Sequence, residues 1–453
     1  MPLSPQLLQP PGPKGRALLH SLFMIKRDRL AFVLDAGERY GDIVGFGMGQ
    51  RKVFLLRHPE HIRYVLSENP ANYRKGLGIE EARPLLGYGL LSSDGEVWTR
   101  QRRLLQAAFH ADRLDNYRKI IVAAAEKMAS RWRTGTTIDA AHQMTLLTVS
   151  IVGQTLLGID LEDQAEDIAM DLHTLTSDAM ARMSRIVPIP RSLPLPSNVR
   201  AARALRRMEA RVSRMIDERR SHPTNSGDLL SVLVETEAAN GGRRQVRDEL
   251  MTALVAGHET TAAALSWAWR LLSQHPEVSE RLREELQTVL GDEEPTMATL
   301  PKLVYTRAVI EETIRLYPPV WLLPRKNIQA DTIGSFHVPP QSEVLLCLYS
   351  MHRHPAFWDE PDRFMPERFL RDKSARHFAA YLPFGAGPRT CIGSRLGLME
   401  ATLVLAILAR RFRAEAVPGR AVHAEASLSL HARNGVPVTI RQVAPALSAL
   451  ACR

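Results

Sequence analysis

Residues 384–393 read FGAGPRTCIG. Three glycines and a proline in ten residues exclude a regular helix or strand and make a tight loop. The segment that follows, LGLMEATLVLAILARR (396–411), is apolar and helical in character. The loop therefore delivers Cys391 to the start of a helix. Backbone N–H groups there are unpaired and partly positive, which biases a thiol toward thiolate, the form that binds metal. Arg389, two residues earlier, offers a cation to a carboxylate. Gly387 and Gly393 would let the backbone pass a flat group closely. The competing reading of a lone cysteine is an inert buried thiol. The chain has only three cysteines, Cys347, Cys391 and Cys452. That is no disulfide framework, and it suits a reducing compartment.

The ten residues resemble the cytochrome P-450 signature, Phe-x-x-Gly-x-Arg-x-Cys-x-Gly. They match it at Phe384, Gly387, Arg389, Cys391 and Gly393. The resemblance implies haem b with the Cys391 thiolate on its iron, a ligand that favours O–O cleavage. It also implies a fold mainly α with a minor β part, a triangular helical prism holding haem between a long central helix and the cysteine loop.

Working upstream, AGHETT (256–261) lies within a long helical pattern. Ala253, Ala256, Gly257, Thr260 and Ala264 share one face at helical spacing, nearly free of side-chain bulk. A flat cofactor or a closely packed helix would each fit such a face. The resemblance assigns Ala256 and Gly257 to the haem and makes Glu259 and Thr260 the acid–Thr pair beside dioxygen. Thr260 would hold oxygen and a water while Glu259 delivers protons. Glu312 and Arg315 are spaced i, i+3, an ion-pair geometry on a helix. The resemblance buries that pair with Arg368 of Pro366-Glu367-Arg368-Phe369 as a structural brace. Trp98 and Arg102, at i and i+4, both present N–H donors on one side, suited to a haem propionate. Arg325, after the Pro318-Pro319 break, matches a further propionate arginine.

The whole chain of 453 residues reads as one catalytic domain, with a short Pro-rich segment at 1–15 and no fused reductase. Helices are expected at 26–40, from Trp98 to about Trp132, over 140–187, 199–220 and 245–273, at 277–290 and 302–316, and just after Cys391. Prolines at 188, 190, 194 and 196 make 186–198 a linker. A buried strand is expected at 53–60, short strands between about 328 and 347, and a β-hairpin near 425–441. With 45% hydrophobic and 24% charged residues the composition is that of a globular protein. No signal peptide and no 18-residue apolar run is present, so a cytoplasmic, soluble protein without a membrane span is expected.

The net charge of +10 points to an acidic partner. Nucleic acid is the rival, and no nucleic-acid motif supports it. Electrons are expected from a separate ferredoxin or flavodoxin with its reductase, docking near Arg100 and Arg103, and dioxygen is the co-substrate. Leu90, Val255, Trp321, Leu322 and Leu323 are expected to line an apolar pocket. A terpenoid suits such a pocket slightly better than a fatty acid, which would need Arg83 or Arg182 as an anchor. A haem-thiolate isomerase or dehydratase and a non-catalytic haem or gas sensor are the other readings. Thr260 argues against the first, and the lack of a signalling domain against the second.

Overall fold

The computed structural model describes residues 8–48, 51–183, 189–224, 227–239, 241–371 and 379–443. At its centre runs the helix Gly242–Leu272, 31 residues long. Val246, Leu250, Leu254, Val255, Leu265, Trp267 and Trp269 bury it on several sides, as expected of a helix with apolar residues all round. Helices Ala140–Val152, Pro196–Ser221, Val304–Leu316 and Ser394–Arg411 pack against it. Gly257 belongs to this packing. A Cβ built there would fall 2.8 Å from Val152 Cγ2. The missing side chain thus admits a neighbouring helix.

Several boundaries differ from the sequence pattern for local reasons. The expected helix at 26–40 is two helices, Arg16–Arg27 and Arg29–Tyr40. Asp28 between them is extended (φ −152°), and its carboxylate accepts from the Leu30 and Ala31 N–H groups. This N-cap satisfies donors that a continuous helix would use otherwise. The pattern from Trp98 to Trp132 is likewise broken into Gly95–Leu105 and Leu114–Arg131, with two 3₁₀ turns around His110 between them. The first part of the Pro-rich linker (186–188) lies outside the described residues. Its last proline, Pro196, opens the helix Pro196–Ser221, where a missing N–H costs nothing.

The main sheet has five strands, in the order Ile43–Met48, Arg51–Leu56, Glu343–Cys347, Leu322–Asn327 and Tyr73–Lys75. Only the second and third run parallel. The register sets Lys75 directly opposite Arg325. The expected closing hairpin is two separate pairings. Ala424–Ala426 pairs with Leu430–Ala432, whereas Pro437–Gln442 pairs with Phe412–Ala416 and Thr137–Asp139. Gly435 (φ +77°) turns the chain between them. Glu312 and Arg315 are fully buried and form the expected ion pair, with Arg368 against the same carboxylate. No helix among the described residues is long and apolar enough to cross a membrane.

Candidate functional site

The cysteine loop closes on itself. The Cys391 N–H donates to the Phe384 carbonyl at 2.9 Å, and both the N–H and hydroxyl of Thr390 reach the Gly387 carbonyl. Gly387 has φ +68°, and a Cβ there would lie 1.9 Å from the Leu66 carbonyl oxygen. Gly393 has an ordinary φ of −90°, and its Cβ position meets only the Phe109 ring at 3.4 Å. On the protein side, Gly387 abuts a backbone and Gly393 a side chain. Gly387→Ala is predicted to cost more than the about 1–2 kcal/mol of left-handed strain alone, because a backbone must also move. Gly393→Ala should cost much less. Urea melts of the two variants check this, and equal losses would refute it.

Cys391 is exposed, although protein atoms crowd around its thiol. Burial pushes its thiol up, while the Gly393 N–H and Arg102 pull it down. The expected bias toward thiolate from the helix start is thus outweighed by desolvation in the protein alone. The helix begins only at Ser394, three residues on. Cys347 is fully buried and pushed up to about 12, which leaves it inert. Cys452 lies outside the described residues.

Beside the loop is a group of cations. The Arg389 guanidinium donates to the Ser93 carbonyl at 3.1 Å, pairs with Asp94, and lies 4.5 Å from the centre of the Trp98 ring. Arg325 is buried and held down to about 10 by burial and by Arg389. Lys75 is held down to about 7 by burial, Arg325 and Arg389. Among the described residues, Asp94 is the carboxylate that offsets these three cations. Like charges directly opposite across a strand pair are destabilising. An anionic group with two carboxylates, such as haem, would relieve them. Arg102 is close enough to Cys391 to lower its pKa. Among the described residues no His, Cys, Asp and Glu group could hold a bare metal ion. A single thiolate ligand suits an iron that brings its other donors with it.

On the central helix, Ala256 is exposed between buried Val255 and half-buried Gly257. The Thr260 hydroxyl donates to the Ala256 carbonyl at 2.9 Å, which leaves its lone pairs able to accept. Glu259 does not meet Thr260 in a hydrogen bond. Its Oε1 accepts from the Ser429 hydroxyl at 2.8 Å, and burial pushes its carboxyl up to about 7. The helix after the loop approaches the central helix near here. A Cβ on Gly397 would lie 3.9 Å from Thr261 Oγ1.

Of the expected pocket residues, Leu90, Leu322 and Leu323 are partly buried against the core clusters and Val255 is buried. Trp321 is only 5% exposed, and its indole N–H is tied to the Ser427 carbonyl at 2.9 Å. It belongs to a core cluster, and that hydrogen bond fixes its ring. Arg83 is paired with Glu80, and Arg182 with Asp178. Arg100 and Arg103 line an open surface groove with Glu96 and Thr99.

Lys75, Asp94, Ser429 and Glu400 escaped the sequence reading. Lys75 becomes visible only through its register with Arg325, and Ser429 only through a contact 170 residues away. Glu400 sits in an apolar helix, buried, with Oε1 unpartnered and its carboxyl pushed up to about 8. The folded protein keeps it protonated while the unfolded chain ionises it above about pH 4.3. Its stabilising contribution is complete below that value and is lost as pH rises toward 8. Glu400→Gln is neutral throughout. Its melting temperature should therefore gain on the wild type between pH 5 and 8, and parallel curves would show the opposite.

The family model for cytochrome P450 matches residues 10–435. The chain belongs to the cytochrome P450 family. Members of this family carry haem ligated by a cysteine thiolate. This P450 is 36% identical over 428 residues to cyclooctatin synthase of Streptomyces melanosporofaciens, covering 93% of each chain. It is 36% identical over 386 residues to cyclooctat-9-en-7-ol 5-monooxygenase of the same organism, covering 84% of each. It is 33% identical over 386 residues to pentalenene oxygenase of Streptomyces avermitilis, covering 84% of this chain and 85% of the relative.

Proposed function

We propose that the protein is a single-domain haem-thiolate monooxygenase that inserts one oxygen atom into a C–H or C=C bond of a terpenoid. Cys391 would hold haem b, with Lys75, Arg325 and Arg389 toward its propionates. Electrons would come from a separate ferredoxin or flavodoxin. Bound haem supplies the centre at which dioxygen is activated. The observation that carries this reading is the exposed Cys391 in a loop whose Arg389 belongs to a cluster of three cations and one carboxylate.

The side chains divide the remaining work. Arg102 and the Gly393 N–H favour the ionised form of Cys391, against the burial that opposes it. The Thr260 hydroxyl, bonded to the Ala256 carbonyl, can accept a further hydrogen bond from a water. Glu259 can hold a proton near neutrality and release it, the behaviour of a general acid matched to its operating pH. Two features support a terpenoid over a fatty acid. Arg83 and Arg182 already have carboxylate partners. Three similar relatives are named cyclooctatin synthase, cyclooctat-9-en-7-ol 5-monooxygenase and pentalenene oxygenase. The basic groove at Arg100 and Arg103 would take the acidic electron donor.

The test is the dithionite-reduced carbon monoxide spectrum of the purified protein, followed by type I titrations with terpenoid, fatty-acid and steroid panels. A strongly red-shifted Soret band and shifts confined to terpenoids are expected. A histidine-type band, or shifts with fatty acids alone, would overturn the ligand or the substrate assignment respectively.

A further inference from the structure

Glu259 points away from Thr260, and what it points to is tightly held. Its hydrogen-bond partner among the described residues is the Ser429 hydroxyl. Ser429 is 3% exposed and sits in the turn between the strands Ala424–Ala426 and Leu430–Ala432. Three separate parts of the chain fasten that turn with four hydrogen bonds. Arg29 donates to the Ala426 carbonyl at 2.5 Å, the Trp321 indole to the Ser427 carbonyl at 2.9 Å, and the Trp267 indole to the Leu430 carbonyl at 3.0 Å. The Leu430 N–H donates to the Pro319 carbonyl at 2.9 Å. Trp267 is itself stacked on Tyr317, with ring centres 3.9 Å apart. A serine hydroxyl has three staggered positions, and a turn fastened this firmly leaves Oγ a fixed origin. The fastening therefore fixes a point in space at which one donor meets one buried carboxyl.

We propose that Ser429 is a positioning residue that holds the Glu259 carboxyl in its orientation toward the C-terminal turn. The turn thereby governs how many electrons end in product and how many in peroxide. This rests on the monooxygenase reading, in which Glu259 passes protons. In the productive reaction, substrate, dioxygen, two electrons and two protons give hydroxylated product and water. In the unproductive one, dioxygen, two electrons and two protons give hydrogen peroxide. The electrons in both come from the one-electron protein donor. Both consume two protons, so the outcome turns on where and when the protons arrive. A carboxyl released from its anchor samples several rotamers and delivers them less selectively.

The titratable groups around the turn are few. His431 and Glu425 lie on the hairpin, 3.8 Å apart. His173 comes from the helix Ala165–Met183, its ring 6.2 Å from that of His431. Arg29 reaches in from the helix Arg29–Tyr40, and His258 precedes Glu259 on the central helix. None of them hydrogen-bonds the Glu259 carboxyl; His258 Nδ1 is engaged with the Leu254 carbonyl.

The experiment uses the haem-loaded protein. Infrared spectra of the ferric form identify the protonated Glu259 carboxyl as the C=O band lost in Glu259→Gln. In Ser429→Ala that band should move to higher wavenumber, because its hydrogen bond is gone, and its titration midpoint should rise by about one unit, a tenfold change. Ser429→Thr, which keeps the hydroxyl, should restore both. The carbon monoxide spectrum should be the same in all four proteins. With a plant-type ferredoxin and its reductase as donor, peroxide released per dioxygen consumed should rise about twofold or more in Ser429→Ala and return in Ser429→Thr. An unmoved band in Ser429→Ala, or unchanged peroxide release beside a raised value in Glu259→Gln, overturns the role of Ser429. If Glu259→Gln itself leaves peroxide release unchanged, the proton-relay reading of Glu259 fails instead.

Discussion

Replacing Cys391 with serine yields a folded protein that lacks the red-shifted ferrous–carbon monoxide band and turns over no substrate. The fold should survive because the loop is shaped by its backbone. The Cys391 N–H to Phe384 carbonyl bond, the Thr390 contacts to Gly387 and the left-handed Gly387 are independent of the sulfur. The residue is exposed, so little packing is lost. Its stability should change by about 0.5 kcal/mol or less, as for substitutions away from core features. The ligand is lost because a serine hydroxyl does not ionise under these conditions, whereas even a thiol raised by burial can be deprotonated when a cation arrives. Cys347→Ser is the control. Cys347 is fully buried in the sheet and raised to about 12. That variant should keep the band and lose stability. A red-shifted band surviving in Cys391→Ser would remove the ligand assignment.

Arg315→Ala should cost about 3–5 kcal/mol and prevent haem incorporation, the penalty expected when one partner of a buried pair is removed. Arg315 and Glu312 are both inaccessible to solvent. The guanidinium is satisfied on every side. Nε and Nη2 donate to the Glu312 carboxylate at 2.7 and 2.8 Å. Nη1 donates to the carbonyls of His352 and Pro361, and Nη2 also to that of Arg363. The Glu312 carboxylate also accepts from the Met365 N–H and from Arg368. The arginine thus ties the helix Val304–Leu316 to the irregular chain from His352 to Arg368. Truncation would leave a buried carboxylate with only Arg368 and the Met365 N–H, and three carbonyls that lose the Arg315 donor. Arg315→Lys should recover only part of the loss, since an ammonium cannot reproduce the fork. Haem-to-protein ratio and thermal melts report the result. Normal haem content in Arg315→Ala would show the cluster to be dispensable.

The two predictions differ in how far the sequence alone reached. The Glu312–Arg315–Arg368 brace was legible because one pair is local, at i, i+3, and the third member lies in a recognisable segment. The family motifs were legible for the same reason. They are short, and their spacing survives without knowledge of the fold. Helix positions followed from apolar periodicity, yet their ends did not. Asp28 breaks one helix because a carboxylate caps the next, and His110 sits among turns that periodicity cannot see.

Composition and motif spacing by themselves determined the mostly helical class, the family, the cysteine in the loop and the acid beside Thr260. Tertiary structure alone decided what those residues face. Gly257 and Gly387 proved to admit Val152 and the Leu66 carbonyl, since a glycine records only that something comes close. Trp321 proved to be core, and Lys75 proved to be a cation opposite Arg325, because strand register joins residues 250 apart in sequence. Glu259 proved to turn toward Ser429 and away from its neighbour, because successive residues on a helix point about 100° apart and a distant turn supplies the partner. Burial set the acidities of Cys391, Glu259 and Glu400, and burial is a property of everything packed around a residue, which no local stretch of sequence contains.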